Sequence, residues 1–193
     1  MIAGRPAKAP ADDLSMNSNP LSRTRTIALV GLPGVGKSSV GRRLAAALNL
    51  PFRDADEEIE RAAGRTISEI FAERGEAEFR EGERRVIARL LEEPPHVLAT
   101  GGGAFMNSDT RQVIKSRAVS VWLRADLEVL ARRVARKNTR PLLAGDDPMA
   151  VLQALAEQRE PIYAEADITV DSVEAPHSST VLAIIDALEA HRP

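Results

Sequence analysis

Short apolar runs typical of β-strands alternate with longer segments of helical periodicity along most of the chain. The runs lie at residues 26–30, 51–54, 96–100, 119–123 and 168–170. A helical pattern separates each run from the next, which is typical of a parallel sheet with helices on both faces. The pattern therefore predicts an α/β fold of three layers, α/β/α, around a five-stranded parallel sheet.

Two of the helical segments have an apolar face that fits against such a sheet. In the first helix this face comprises Val40, Leu44, Ala47 and Leu48. In the last helix, apolar residues recur at spacings of three and four, at Val181, Leu182, Ile184, Ile185 and Leu188. We expect both faces to pack on the sheet. Ligands then bind beyond the carboxyl ends of the strands, so the segments that follow the strands are where chemistry is expected.

The segment after the first predicted strand carries the strongest chemical signal. Residues 31–38 read Gly-Leu-Pro-Gly-Val-Gly-Lys-Ser, a complete G-x-x-x-x-G-K-[ST] phosphate loop between a strand and a helix. Its three glycines can turn backbone N–H groups towards an anion, because glycine tolerates left-handed backbone angles. Lys37 would then contact the β- and γ-phosphates, and Ser38 would offer its hydroxyl to Mg²⁺. We therefore expect a bound nucleoside triphosphate.

The ends of two other predicted strands are also polar or rich in glycine. Asp54 and Asp56 end the second strand, where a carboxylate can hold Mg²⁺ through water or accept the proton of an attacking hydroxyl. Asp56 can equally cap the helix that follows. Gly101, Gly102 and Gly103 follow the third strand and either form a flexible turn or allow a ligand close to the backbone. Because all these ends meet at one edge of the sheet, we favour a binding site there.

Composition narrows the classes of function. The formal net charge of -2 argues against a nucleic-acid-binding surface. The chain has no cysteine, which excludes disulfides and thiolate chemistry, and its three histidines lack the short spacings of a metal site. No apolar stretch approaches the length of a membrane span, and residues 1–25 read as a disordered extension rather than a secretory signal. These features favour a cytoplasmic protein.

Taken in order, the motifs resemble those of the shikimate kinases, a family of small-molecule kinases with a phosphate loop. The resemblance covers about residues 26–190, which we interpret as a single kinase domain. It rests on the phosphate loop, Asp54-x-Asp56, Phe79-Arg80 with Glu83, Gly101-Gly102-Gly103, Arg140-Pro141-Leu142-Leu143, and Arg159 before Pro161-Ile-Tyr163. It implies the strand order 2-3-1-4-5, a substrate-binding segment at about 55–85 and a mobile lid at about 135–147.

The resemblance also implies an activity: transfer of the γ-phosphate of ATP to the 3-hydroxyl of shikimate, which gives shikimate 3-phosphate and ADP. The expected catalytic residues are Lys37, Asp56 and Arg140. The residues expected to bind ATP are Gly34, Val35, Gly36, Lys37, Ser38, Ser39, Arg133 and Arg140. Those expected to bind shikimate are Asp56, Arg80, Glu83, Gly101, Gly102, Gly103 and Arg159.

Individual roles follow from the same resemblance. Arg80 and Arg159 would clamp the substrate carboxylate, for which a planar guanidinium is well shaped, and Glu83 would hold Arg80 in position. Asp56 would orient or deprotonate the attacking hydroxyl. Ser38 and Asp54 would hold the Mg²⁺ cofactor, Asp54 through water.

The lid and the adenine site complete these expectations. Arg133 would pack on one face of adenine with the segment near Pro176 opposite, and closure of the lid would bring Arg140 to the phosphates and exclude water. The alternatives are a gluconate kinase or another small-molecule kinase of similar architecture, and a nucleotide-binding module without catalysis. We expect ATP and shikimate as partners, no nucleic acid, no membrane and a monomeric chain.

Overall fold

A single parallel sheet organises the chain. The structure, a computed structural model, describes residues 24–135, 147–172 and 177–191. The five strands stand in the spatial order β2-β3-β1-β4-β5, and every pairing between neighbours is parallel. They are β1 (Thr26–Val30), β2 (Phe52–Asp54), β3 (Val97–Ala99), β4 (Ala118–Arg124) and β5 (Ile168–Asp171). The predicted fold class and strand order are confirmed.

Helices fill the connections between the strands, and one more follows the last strand. They are α1 (Lys37–Leu48), α2 (Ala55–Ala63), α3 (Ile67–Leu90), α4 (Ser108–Arg117), α5 (Leu127–Ala135), α6 (Pro148–Tyr163) and α7 (His177–Ala190). A short 3-10 helix spans Ala104–Met106. Among the described residues, no helix has the length and apolar character needed to cross a membrane.

Several helices begin at residues whose side chains cap them. Asn107 caps α4 by accepting from the N–H of Thr110, and Asp147 caps α6 by accepting from two backbone N–H groups. Thr66 starts α3 with a capping box in which its hydroxyl and the Glu69 carboxylate satisfy each other's backbone N–H groups. These caps fix where each helix starts and therefore which side chains face the sheet edge.

The sequence prediction that Asp56 caps α2 is wrong. The cap is Asp54, whose Oδ1 accepts a hydrogen bond from the N–H of Asp56 at 3.1 Å. The helix therefore begins two residues earlier than expected, and Asp56 lies in its first turn. Capping and the chemistry proposed for Asp56 thus belong to different carboxylates.

Two apolar positions assigned to buried helix faces are exposed. Ala47 lies at the edge of the buried stripe of α1, which instead includes Ala45. Leu182 is 60% exposed, because the buried stripe of α7 contains Val181 and Ile184 and Leu182 lies about 100° further round the helix than Val181. The apolar spacing located the helices correctly but overestimated the width of their buried faces.

The register of the strands brings their carboxyl ends into line. Asp54 pairs with Ala99, Ala99 with Leu29, and Leu29 with Val121. Because all these strands run in the same direction, the segments that leave them emerge at one edge of the sheet. The central strand β1 is completely buried, so the loop that follows it has a rigid base.

The long helix α3 is bent at Gly75, whose backbone angles of φ 78° and ψ 175° are not helical. A small apolar cluster of Ile59, Ile70 and Phe79 packs α2 against both halves of α3. This packing orients the second half of α3, which carries Arg80 and Glu83.

Three parts of the sequence prediction concern residues that the structure leaves undescribed. Residues 1–23 contain most of the predicted extension, and residues 136–146 contain most of the predicted lid, including Arg140. Residues 173–176 include Pro176 of the predicted adenine site. The expectations for these segments stay predictions.

Candidate active site

The phosphate loop connects β1 to α1 at the carboxyl edge of the sheet. Gly34 and Gly36 have φ values of 85° and 99°, which favour glycine over any other residue. Gly31 has φ 140°, and a Cβ there would lie 2.5 Å from the Leu123 carbonyl oxygen of β4. The loop conformation therefore requires glycine, as expected for backbone N–H groups arranged around an anion.

Lys37 is the first residue of α1 and is only 6% exposed. Its Nζ donates hydrogen bonds to the carbonyl oxygens of Gly31 at 2.7 Å and Leu32 at 3.1 Å. The ammonium group is thus held over the phosphate loop. Ser38 and Ser39 follow it in the first turn of α1 and are half-buried.

Two further residues contact this loop from other helices. Arg133 of α5 donates from Nη1 to the carbonyl oxygen of Val35 at 3.3 Å. His177, the first residue of α7, places its Cε1 3.6 Å from where a Cβ on Gly36 would lie. Arg133 is predicted from the sequence to bind the nucleotide, whereas no motif indicated that His177 lies beside the loop.

The glycine triplet forms a tight turn between β3 and the 3-10 helix. A Cβ on Gly101 would collide with Glu83 Oε1 and lie 3.1 Å from Asp56 Oδ1. A Cβ on Gly102 would lie 3.1 Å from the Pro33 ring, and one on Gly103 would lie 2.7 Å from the Arg80 guanidinium. The turn is therefore closely packed between the phosphate loop and α3.

Arg80 and Glu83 lie on one face of α3 and point at this turn. Arg80 Nη1 donates to Glu83 Oε2 at 2.7 Å, and Arg80 Nη2 donates to Glu76 Oε1 at 3.1 Å. The Glu83 side chain is 3% exposed and that of Arg80 is 27% exposed. The pair is buried enough for its charges to be weakly screened.

Arg159 reaches the same turn from α6. Its Nη1 donates to the carbonyl oxygen of Gly102 at 2.9 Å. Tyr163, one helical turn later, donates its hydroxyl to the same carbonyl oxygen. In the sequence, Tyr163 stands out only as part of a motif. Its separation of four residues from Arg159 was the signal that the two residues share a helix face.

The electrostatics of this cluster follow from its burial. Burial raises the pKa of the Glu83 carboxyl, and the Asp56 carboxylate adds to this effect while Arg80 and Arg159 oppose it. Burial acts to lower the pKa of Arg80, but Glu83 and Glu76 outweigh it, so the pKa is raised. Asp56, Glu83, Arg80 and Arg159 thus form one interacting group of two carboxylates and two guanidinium groups.

The donors predicted for Mg²⁺ are a hydroxyl and a carboxylate rather than a protein cage. Among the described residues, no group of three or more His, Cys, Asp or Glu side chains could hold a metal ion. Asp54 is 8% exposed and ends β2, while Ser38 lies in the first turn of α1. Hard oxygen donors in small number suit Mg²⁺, which keeps several waters and binds substrate phosphates.

Comparisons with known proteins identify the family of the chain. A model of the shikimate kinase family matches residues 33–189. The shikimate kinase of Caulobacter vibrioides is 65% identical over 182 residues, covering 94% of this chain and 88% of its own. The shikimate kinase of Bradyrhizobium diazoefficiens is 56% identical over 167 residues, covering 86% of this chain and 81% of its own.

A solved structure gives the same result. The shikimate kinase from Acinetobacter baumannii in complex with shikimate superposes with a TM-score of 0.85 at 36% identity, covering 90% of this chain and 97% of its own. The match of the family model to most of the chain, and the identity of these relatives over more than four fifths of their own length, place this chain in the shikimate kinase family.

Proposed function

We propose that the chain transfers the γ-phosphate of ATP to the 3-hydroxyl of shikimate through the residues gathered at the glycine turn. ATP-dependent phosphorylation of a shikimate hydroxyl is the activity of the family. The observation that carries the assignment of residues is the convergence of Arg80 and Arg159, from two separate helices, on neighbouring glycines of one turn. That turn lies beside the phosphate loop, through the contact of Gly102 with Pro33.

The two arginines fit a carboxylate of the acceptor. A guanidinium group offers several N–H donors in one plane and matches a carboxylate bidentately. Glu83 and Glu76 hold Arg80 from one side, and the Gly102 carbonyl holds Arg159. Both cations are therefore oriented before the substrate arrives, which lowers the ordering cost of binding.

Asp56 is suited to act on the attacking hydroxyl. It lies in the first turn of α2, and its Oδ1 is directed at the Gly101 side of the turn. A carboxylate there accepts the hydroxyl proton or orients the hydroxyl for in-line attack. A Cβ on Gly101 would collide with Glu83 Oε1 and lie 3.1 Å from Asp56 Oδ1, so glycine at this position leaves both carboxylates room beside the turn.

The nucleotide occupies the phosphate loop in this proposal. The N–H groups of Gly34, Val35 and Gly36, with those at the start of α1, surround the phosphates, and Ser38 and Ser39 extend this set. Lys37 exchanges its contacts with the Gly31 and Leu32 carbonyls for the β- and γ-phosphates. Arg133 already touches the loop and is proposed to pack on adenine.

Ser38 and Asp54 are proposed to hold Mg²⁺, Asp54 through water. When bound, Mg²⁺ neutralises charge on the phosphate oxygens. Asp54 keeps one oxygen on the N–H of Asp56, so its other oxygen can serve a metal-bound water. The lid with Arg140 is proposed to close over the nucleotide and to exclude water from the reaction. We also propose that the chain acts as a monomer in the cytoplasm.

The decisive experiment is an ATP-coupled assay with shikimate, quinate, gluconate and nucleoside monophosphates as acceptors. We expect turnover chiefly with shikimate, because phosphorylation of shikimate is the activity of the family. Quinate and gluconate also carry a carboxylate that paired guanidinium groups can bind, so they test the shape of the site rather than its charge. Higher kcat/KM with gluconate would favour the sugar-acid kinase alternative. ATP binding without turnover of any acceptor would favour a module without catalysis.

A further inference from the structure

Tyr163 occupies a buried position behind the substrate arginines. It is the last residue of α6 and is 1% exposed. Its ring stacks between Trp122 of β4, at a centroid distance of 6.0 Å, and Phe105 of the 3-10 helix, at 6.4 Å. Phenylalanine would satisfy this packing equally well. The hydroxyl therefore needs an explanation of its own.

That hydroxyl shares an acceptor with Arg159. Both Tyr163 Oη and Arg159 Nη1 donate to the carbonyl oxygen of Gly102. A carbonyl oxygen has two lone pairs, so the two donors together complete its hydrogen bonding. Burial raises the pKa of the Tyr163 hydroxyl to about 12, so the group keeps its proton and remains a donor at every working pH.

Gly102 also has close neighbours on the side of the phosphate loop. A Cβ on Gly102 would lie 3.1 Å from two atoms of the Pro33 ring in the phosphate loop. Its neighbours Gly101 and Gly103 abut Glu83 and the Arg80 guanidinium. The carbonyl of Gly102 is thus the point at which α6 is fixed to the turn that holds the substrate side of the site.

We infer that Tyr163 is a positioning residue for substrate binding: its hydroxyl holds the Gly102 carbonyl in the direction that orients the Arg159 guanidinium towards Glu83 and Arg80. The inference rests on the proposed function of Arg159 as a carboxylate clamp. Tyr163 does not touch the substrate in this arrangement. It sets the affinity for the carboxylated acceptor and leaves ATP binding and the phosphoryl transfer step unchanged.

The test is Tyr163→Phe, which keeps the ring between Trp122 and Phe105 and removes only the hydroxyl. We expect the KM for shikimate to rise about fivefold, the effect of one lost hydrogen bond, with kcat and the KM for ATP within about twofold of wild type. Arg159→Ala should raise the KM further. The double variant Tyr163→Phe/Arg159→Ala should show no rise beyond that of Arg159→Ala alone, because Tyr163 acts through Arg159.

Ser120→Ala is the matched control, since Ser120 is also fully buried and its hydroxyl donates to Asp167 rather than to the site. It should lower the melting temperature without changing the shikimate KM. An unchanged shikimate KM in Tyr163→Phe, equal rises in both KM values, or additive effects in the double variant would each overturn the inference. Absence of shikimate turnover by wild type in the same assay would overturn the proposed function itself, and the inference with it.

Discussion

Arg80 and Glu83 form an ion pair in which only one of the two Glu83 carboxylate oxygens accepts a hydrogen bond. Glu83 Oε2 accepts from Arg80 Nη1 at 2.7 Å, whereas Oε1 is buried and has no hydrogen-bond partner in the part of the chain that the structure describes. Oε1 is the atom that a Cβ on Gly101 would meet. A buried acceptor without a donor costs stability, so its retention beside the glycine turn fits a site that a polar ligand completes.

The first prediction concerns Arg80 itself. Arg80→Ala should raise the KM for shikimate at least about tenfold, because a charge-assisted hydrogen bond to the carboxylate is lost and Glu83 is left buried without its cation. The KM for ATP should stay near the wild-type value. Steady-state kinetics with each substrate varied in turn measures both.

Arg84→Ala provides the control on the same helix. Arg84 pairs with Glu81 at 2.7 Å on an exposed face, where an ion pair contributes little to stability. Its kinetics should match wild type. If Arg80→Ala and Arg84→Ala behaved alike, Arg80 would have no part in substrate binding.

The second prediction tests how closely the glycine turn is packed. Gly103 has φ -104° and ψ -10°, which alanine adopts without strain, yet its Cβ would lie 2.7 Å from the Arg80 guanidinium. Gly103→Ala should therefore displace Arg80 and raise the shikimate KM while the protein stays folded. Kinetics and a thermal melt on the same preparation separate the two effects.

Gly82→Ala is the matched substitution. Gly82 lies inside α3, and a Cβ added there would have no neighbouring atom within 4 Å, so alanine should stabilise the helix by about 0.5–1 kcal/mol. Its shikimate KM should be that of wild type. A wild-type shikimate KM in Gly103→Ala would show that the turn accommodates the added Cβ without displacing Arg80.

The alternation of apolar runs with helical patterns predicted the parallel sheet, and the glycine pattern predicted the loops at its edge, because both patterns depend on neighbours along the chain. The strand order was predicted only from the family resemblance, since strand pairing depends on residues distant in sequence. It could not place the start of α2, since Asp54 and Asp56 are both good caps and only the end of β2 decides between them. The prediction that Leu182 is buried was also wrong, because the width of the buried face of α7 depends on what the helix packs against.

The sequence also could not predict that Arg159 and Tyr163 donate to the same acceptor, the carbonyl oxygen of Gly102. Their spacing places both on one face of α6, but nothing local indicates that this face meets the carbonyl of Gly102, 57 residues from Arg159. Such contacts depend on how α6 packs against β4 and the 3-10 helix. The residue types at the candidate site were therefore predictable from motifs. The hydrogen bonds that hold these residues in place were not.

The third prediction separates the two roles of Asp54. Asp54→Asn should keep the cap of α2, because asparagine is as good a cap as aspartate, but it removes the charge proposed to hold a Mg²⁺-bound water. The melting temperature should change little, and the Mg²⁺ concentration for half-maximal activity should rise several-fold. Titration of activity with MgCl₂ at saturating ATP and shikimate measures this.

Asp54→Ala removes the charge and the cap together. It should show the same increase in the Mg²⁺ requirement and also lose about 1 kcal/mol of stability. Wild-type Mg²⁺ dependence in Asp54→Asn would remove Asp54 from the metal site. A stability loss in Asp54→Asn equal to that of Asp54→Ala would show that the cap needs the charge.

The last prediction is a pH dependence of stability that arises far from the site. His96 is 1% exposed; its Nδ1 lies 2.9 Å from the Pro94 carbonyl oxygen, and Nε2 has no partner among the described residues. Burial lowers the pKa of His96 from its ordinary value of 6.5, against the opposing hydrogen bond to Pro94. The unfolded chain therefore binds the proton more readily than the folded one, so the stabilisation is complete above pH 6.5 and is lost as the pH falls towards the lowered pKa. Urea unfolding at intervals from pH 8 to pH 5 should show a steeper fall in the free energy of unfolding for wild type than for His96→Asn, even though His96→Asn starts from a lower value. Parallel curves for the two proteins would mean that His96 takes up its proton equally well in the folded and unfolded states.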